Sequence, residues 1–132
     1  MIDLPPSFTI AVIDDDAGIL KSLGDLLESA DHAVHPFASG TALLESGCLA
    51  RIDCLISDID MPVMDGFELI RVVHGARPTL PIILITGHPD MLNRLQPIGP
   101  GHYRSFTKPF NGQELLTAVS DALRNPRART PK

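Results

Sequence analysis

The chain has 132 residues, 44% hydrophobic and 20% charged, with a net charge of −5. That length suits one domain with a single core. No apolar run approaches the roughly 20 residues that cross a bilayer, and the acidic balance argues against a domain that grips nucleic acid by itself. The two cysteines, Cys48 and Cys54, lack a metal-type spacing and read as reduced thiols of a cytoplasmic protein. Residues 1–7 carry Asp3 and two prolines without a basic stretch, so a signal peptide is not expected there.

Residues 8–13 are apolar and β-branched and predict a first strand. Asp14, Asp15 and Asp16 follow at once. Ile19, Leu20, Leu23, Leu26, Leu27 and Ala30 then recur at helical spacing, which predicts a helix with one apolar face. Residues 33–37 predict a second strand, which Pro36 confines to a sheet edge. Ser39 can cap a helix over 40–47 carrying Leu43 and Leu44, and Gly47 can end it. Residues 53–58 predict a buried third strand that closes on Asp58 before the breaker cluster Met61-Pro62-Val63-Met64-Asp65-Gly66.

A third helix begins near Gly66 with Phe67, Ile70 and Val73, and residues 81–85 predict a fourth strand closing with Thr86-Gly87. Residues 90–96 predict a weakened fourth helix, because Pro97, Gly99, Pro100 and Gly101 forbid its continuation. Residues 103–108 predict the fifth strand. Asn111-Gly112-Gln113-Glu114 resembles a capping box, and Leu115, Leu116, Val119, Ala122 and Leu123 supply a C-terminal helix. The chain therefore divides into a leader (1–7), a folded domain (8–125) and a proline- and arginine-rich tail or linker (126–132).

Five strands alternating with helices predict an α/β fold, a doubly wound five-stranded parallel sheet. Right-handed crossovers then bring the carboxyl ends of the strands to one edge. Asp14, Asp15, Asp58, Thr86 and Lys108 all fall at such ends. Each alone has an ordinary explanation as a turn, a cap or a loop residue. Together they deliver acids, a hydroxyl and an amine to one region. Clustered carboxylates repel, and a hard cation such as Mg²⁺, with a few carboxylates and several waters, resolves that conflict. Metal and amine can neutralise phosphoryl oxygens while a carboxylate attacks in line.

At this point the sequence resembles the receiver domain of two-component response regulators. The matching pieces are Val12-Ile13-Asp14-Asp15-Asp16, Asp58 with Met61-Pro62 and Met64-Asp65-Gly66, Thr86-Gly87, and Lys108-Pro109-Phe110, spread over roughly residues 8–124. The run Phe106-Thr107-Lys108-Pro109-Phe110 resembles receivers of the nitrogen-fixation regulator type. The resemblance implies a flavodoxin-like strand order 2-1-3-4-5 and Asp58 as phosphoacceptor. It implies Mg²⁺ held by the side chains of Asp15 and Asp58 and the backbone carbonyl of Asp60, with Asp14 acting through a water. It further implies Thr86 as the switch hydroxyl, Lys108 on the phosphate and a cis peptide before Pro109. The implied partner is a sensor histidine kinase or histidine phosphotransfer protein. A separate output domain or partner would read a state that includes a phosphorylation-dependent homodimer. Such a domain is a signalling phosphoacceptor, not an enzyme, and binds neither nucleic acid nor membrane directly.

Three features depart from the family pattern. An aromatic usually stands three residues before the lysine; here that residue is Ser105, with Phe106 one place later. Alternation sets Tyr103, Ser105 and Thr107 on one face and turns Phe106 into the core, leaving Ser105 in the slot of an aromatic switch. Asp60 is an extra carboxylate, and the fourth helix is frail. Two alternatives have different chemistry: a haloacid-dehalogenase-like phosphohydrolase built on Asp58-Ile59-Asp60, and a phosphorylation-independent pseudo-receiver. The first normally places its motif after the first strand and a Thr or Val where Pro62 stands. The complete acid, Thr and Lys set argues against the second.

Overall fold

The computed structural model describes residues 8–59, 66–87, 103–108 and 110–124. Strands β1 (Thr9–Ile13), β2 (Ala33–Phe37), β3 (Cys54–Asp58), β4 (Ile82–Thr86) and β5 (Tyr103–Thr107) form one parallel sheet, ordered β2-β1-β3-β4-β5. Helices α1 (Ala17–Glu28), α2 (Gly40–Ser46), α3 (Gly66–Ala76) and α4 (Gly112–Arg124) accompany it, with a 3-10 turn at Cys48–Ala50. This is the doubly wound, flavodoxin-like order that the sequence implies. The leader 1–7, the tail 126–132, the short helix expected over 90–96, Asp60 and Pro109 lie outside the described residues.

The sheet is buried on both faces, which explains why β3 and β4 lack polar alternation. On one face Ala11, Ile13, Leu55 and Leu84 pack with Leu43 of α2 and Leu69, Ile70 and Val73 of α3. On the other, Ile10, Val12, Ile56 and Ile85 pack with Leu23 and Leu27 of α1 and Leu115 and Val119 of α4. Each fully buried Ile or Leu stabilises the fold by about 1.5–3 kcal/mol relative to exposure. Strand β2 is the edge strand that Pro36 requires, and both His35 and Pro36 are exposed on it.

Side chains set the helix ends. The Asp16 carboxylate caps α1 by accepting from the N–H groups of Gly18 at 2.8 Å and Ile19 at 3.2 Å. The helix stops at Glu28, and the chain reverses through Asp31 at φ 69°. Ala30 is thus an exposed turn residue, a correction to the apolar face expected from its spacing. Ser39 caps α2 through a bond from Ala42 N–H at 3.1 Å, and Gly47 closes it at φ 77°, a conformation that suits glycine. Asn111 accepts from Glu114 N–H at 3.0 Å at the start of α4.

Alternation in β5 runs as expected, with Ser105 and Thr107 exposed and Phe106 packed with the α1/α4 layer. Phe106 is only half-buried, however, because β5 ends the order of the sheet and α4 covers the ring incompletely. It lines a groove with Gln113, Glu114 and Thr117.

Candidate functional site

Four strand ends converge as the crossover rule requires. Asp14 follows β1, Asp58 closes β3, Thr86 closes β4, and Lys108 follows β5. The Lys108 ammonium lies 3.2 Å from Asp14 Oδ2 and 3.3 Å from Asp58 Oδ2, so one cation links two carboxylates that are 1% and 3% exposed. Asp15 is exposed at the rim. One carboxylate oxygen from each of Asp14, Asp15 and Asp58 lies within 4.8 Å of the others.

Backbone bonds fix these positions. Asp14 N–H donates to Phe37 carbonyl at 3.2 Å, and Lys108 N–H donates to Thr86 carbonyl at 2.7 Å. The second bond ties the lysine's loop to the residue bearing the buried hydroxyl. Asp16 N–H donates to Asp14 Oδ1 at 2.9 Å, leaving Oδ2 to Lys108. Asp16 itself turns away to cap α1 and takes no place in the acidic cluster. Sequence reasoning grouped Asp16 with its two neighbours. The signal that separates it is its place immediately before the helix-periodic run, where Asp is a preferred cap.

The site's electrostatics follow from burial. Desolvation pushes the Asp14 carboxyl above its ordinary 3.8, and Asp58 adds to the push. Hydrogen bonds from Asp16 N–H and Lys108 oppose the rise without reversing it. For Lys108, burial alone would favour the neutral amine. The bond to Asp14 and the charges of Asp58 and Asp14 outweigh it and hold the ammonium above its ordinary 10.5. One lysine thus compensates Asp14 incompletely while also bonding Asp58, with a third acid at the rim. The three oxygen donors form a hard set, which fits Mg²⁺ retaining several waters.

Thr86 is fully buried, and alternation in β4 places it on the α2/α3 face with Ile82 and Leu84. Asp14, Asp58 and Lys108 alternate in phase with Val12, Ile56 and Phe106 of the α1/α4 layer. The hydroxyl and the carboxylates therefore meet only at the edge where the strands end. Ser105 stands opposite Leu84 in the β4–β5 register, on the Thr86 face, and is exposed.

A sheet of order 2-1-3-4-5 with acids after its first and third strands, a hydroxyl at the fourth and a lysine after the fifth defines a receiver-type signalling domain. Residues 10–120 match the response regulator receiver domain, and the chain belongs to that family of two-component response regulators. It is 36% identical over 115 residues to the response regulator protein TmoT of Ectopseudomonas mendocina, covering 87% of this chain and 52% of the relative. It is 34% identical over 115 residues to the transcriptional regulatory protein FixJ of Bradyrhizobium diazoefficiens, covering 87% and 56%. The chain spans about half the length of these curated relatives. Among solved structures it is similar to the chemotaxis protein CheY4 of Vibrio cholerae, with TM-score 0.80, 29% identity and coverage of 89% of this chain and 100% of that one. The signal receiver domain of an HD domain-containing protein from Pseudomonas fluorescens Pf-5 aligns with TM-score 0.82, 32% identity and coverage of 93% and 99%. The phosphohydrolase and pseudo-receiver readings are not favoured. Among the described residues, no helix is long and apolar enough to cross a membrane.

Proposed function

We propose that Asp58 accepts a phosphoryl group from a phosphohistidine of a sensor kinase or phosphotransfer protein, and that the resulting charge switches the domain's surface. The observation that carries this reading is the Lys108 ammonium held between Asp14 and Asp58, with Asp15 beside them. In the transfer, an Asp58 carboxylate oxygen forms a bond to phosphorus as the phosphorus–nitrogen bond breaks, and the leaving imidazole takes up a proton. Lys108, already aimed at the Asp58 carboxylate, neutralises a phosphoryl oxygen. Asp15 and Asp58 would hold Mg²⁺ by their side chains, with Asp60 contributing its carbonyl and Asp14 acting through a water. When bound, the metal supplies charge neutralisation of the transferred group.

Thr86 donates its hydroxyl to the new phosphate. That shift biases a pre-existing equilibrium between two surface states. Ser105 is too small to act as the aromatic switch, so the signal passes chiefly through the loop after Thr86. The switching unit is 8–125. The domain promotes only its own phosphorylation and dephosphorylation, and an output domain or partner protein reads its state. The test is incubation with acetyl phosphate and Mg²⁺ followed by intact mass. One added phosphoryl group in the parent and none in Asp58→Asn is the expected result. Equal labelling of the two proteins would remove Asp58 as the acceptor.

A further inference from the structure

Ser57 sits in the middle of the sheet, where a hydroxyl is expensive. Pairing places it in one row with Ile13, Leu84 and Ser105. It alternates in phase with Leu55 and Ile59 in a mostly apolar layer, and it is fully buried. Packing and strand propensity alone would favour valine there. A buried hydroxyl without a partner is strongly unfavourable, so the bond it makes is informative. Ser57 Oγ donates to the main-chain carbonyl of Asp58 at 2.9 Å.

That bond falls where the sheet runs out. The β1–β3 ladder ends at the Ile13–Ser57 pair, one residue short of Asp58. The β3–β4 ladder continues, with Asp58 opposite Ile85 and Ile59 N–H bonded to Ile85 carbonyl at 3.1 Å. With Asp14 N–H turned to Phe37, the Ile13–Ser57 pair gives the Asp58 N–H the last β1 partner, so the peptide plane between Asp58 and Ile59 lies just past the end of that ladder. The Ser57 hydroxyl adds a restraint on the peptide plane between Asp58 and Ile59. A restraint on that plane limits the movement of the strand end that bears the Asp58 side chain, whose carboxylate lies 3.3 Å from the Lys108 ammonium. Misplacement of a reacting group by a fraction of an ångström is enough to slow transfer.

We propose that Ser57 is a positioning residue for Asp58, acting through the Asp58 carbonyl to aim the carboxylate at incoming phosphorus and metal. The proposal rests on the receiver reading for its phosphoryl step. Threonine and valine are nearly isosteric and differ by the hydroxyl, so Ser57→Thr and Ser57→Val separate the hydrogen bond from the volume. Ser57→Thr should be labelled by acetyl phosphate within about twofold of the parent, and Ser57→Val about three- to tenfold more slowly, the worth of one hydrogen bond. Ser57→Val should also melt no lower than Ser57→Thr, because it buries no polar atom. A purely structural hydroxyl predicts the reverse: lower melting for valine and equal labelling. Ser57→Ala, the smaller variant, should follow valine in rate and covers the case in which added volume prevents folding. Equal labelling of the threonine and valine proteins, or of alanine and parent, overturns the proposal. If the parent takes no phosphoryl group, the receiver reading falls and the positioning claim is decided by Mg²⁺ titration of the same proteins followed by amide NMR. There, at least threefold weaker binding in Ser57→Val than in Ser57→Thr upholds it, and equal binding overturns it.

Discussion

The two ends of the sheet treat charge in opposite ways. At the carboxyl edge, Asp14, Asp15 and Asp58 converge on one another, and Asp14 and Asp58 share the ammonium of Lys108. At the amino edge, Asp53 and Arg77 each hold a separate piece of backbone. Asp53 accepts from Thr9 N–H at 2.8 Å and secures the start of β1. Arg77, after α3, donates from Nη1 to the carbonyls of Leu49 at 2.9 Å and Ile52 at 2.5 Å. The amino edge uses polar groups to hold loops; the carboxyl edge concentrates negative charge that a divalent cation would relieve. Stability and function are thus placed at opposite ends of the same strands.

The sharpest way to test that division is to remove its strongest structural clamp. Arg77→Ala deletes a charged donor and leaves two loop carbonyls to find water. It should lower stability by about 2–4 kcal/mol in chemical denaturation, two bonds to a charged group being involved. Mg²⁺ affinity should stay within about twofold of the parent. A large loss of metal binding in a folded Arg77→Ala would mean that the two ends are coupled and the division is false. This clamp could not be read in the sequence, because its partners lie 28 and 25 residues away and nothing local marks them. Ser39 and Gly47, by contrast, were legible because a cap and a left-handed stop act within three residues. The site was legible for a third reason: right-handed crossovers turn the order of strands into a shared edge. Asp16 escaped because acid runs look alike until the helix start is placed.

Phe106 lies between the two kinds of region, on the strand that carries Lys108. A fully buried phenylalanine costs about 3–5 kcal/mol when truncated to alanine, but this ring is half-covered. Phe106→Ala should therefore lose about 2 kcal/mol, roughly half the buried value. Ser105→Ala, on the exposed face, should stay within about 0.5 kcal/mol of the parent and leave labelling unchanged. If Ser105→Ala proved the more damaging of the two, the assignment of faces in β5 would be wrong.

At the acidic edge the sign of a substitution should reverse. Asp14 and Asp58 are both buried beside one ammonium, and burial with the neighbouring charge already disfavours ionised Asp14. Asp14→Asn keeps the shape and removes one of the repelling charges. Without metal it should stabilise the fold by about 1 kcal/mol, while Mg²⁺ binding weakens. Thermal melts with and without Mg²⁺ give both quantities. Loss of stability in the metal-free variant would show that the Lys108 bridge outweighs the repulsion.

The smallest effect belongs to His32, on the turn between α1 and β2. Its ring packs against Phe8 at a centroid distance of 6.1 Å, and its buried Nδ1 has no hydrogen-bond partner. Burial lowers its pKa below the ordinary 6.5, and neighbouring Asp31 pulls the other way without restoring it. A histidine whose folded value lies below its unfolded value binds fewer protons in the folded state. Its stabilising contribution is complete above 6.5 and is lost as the pH falls through 6.5 toward the folded value. Other titrating groups change over the same range, so the informative quantity is a difference between two proteins. His32→Phe keeps an aromatic ring against Phe8 and cannot be protonated. Its melting temperature should rise relative to the parent as the pH drops from about 8 to about 5. A difference that stays flat with pH would show that His32 is accommodated equally well in either charge state, and that the amino edge tolerates an added charge as readily as the carboxyl edge does.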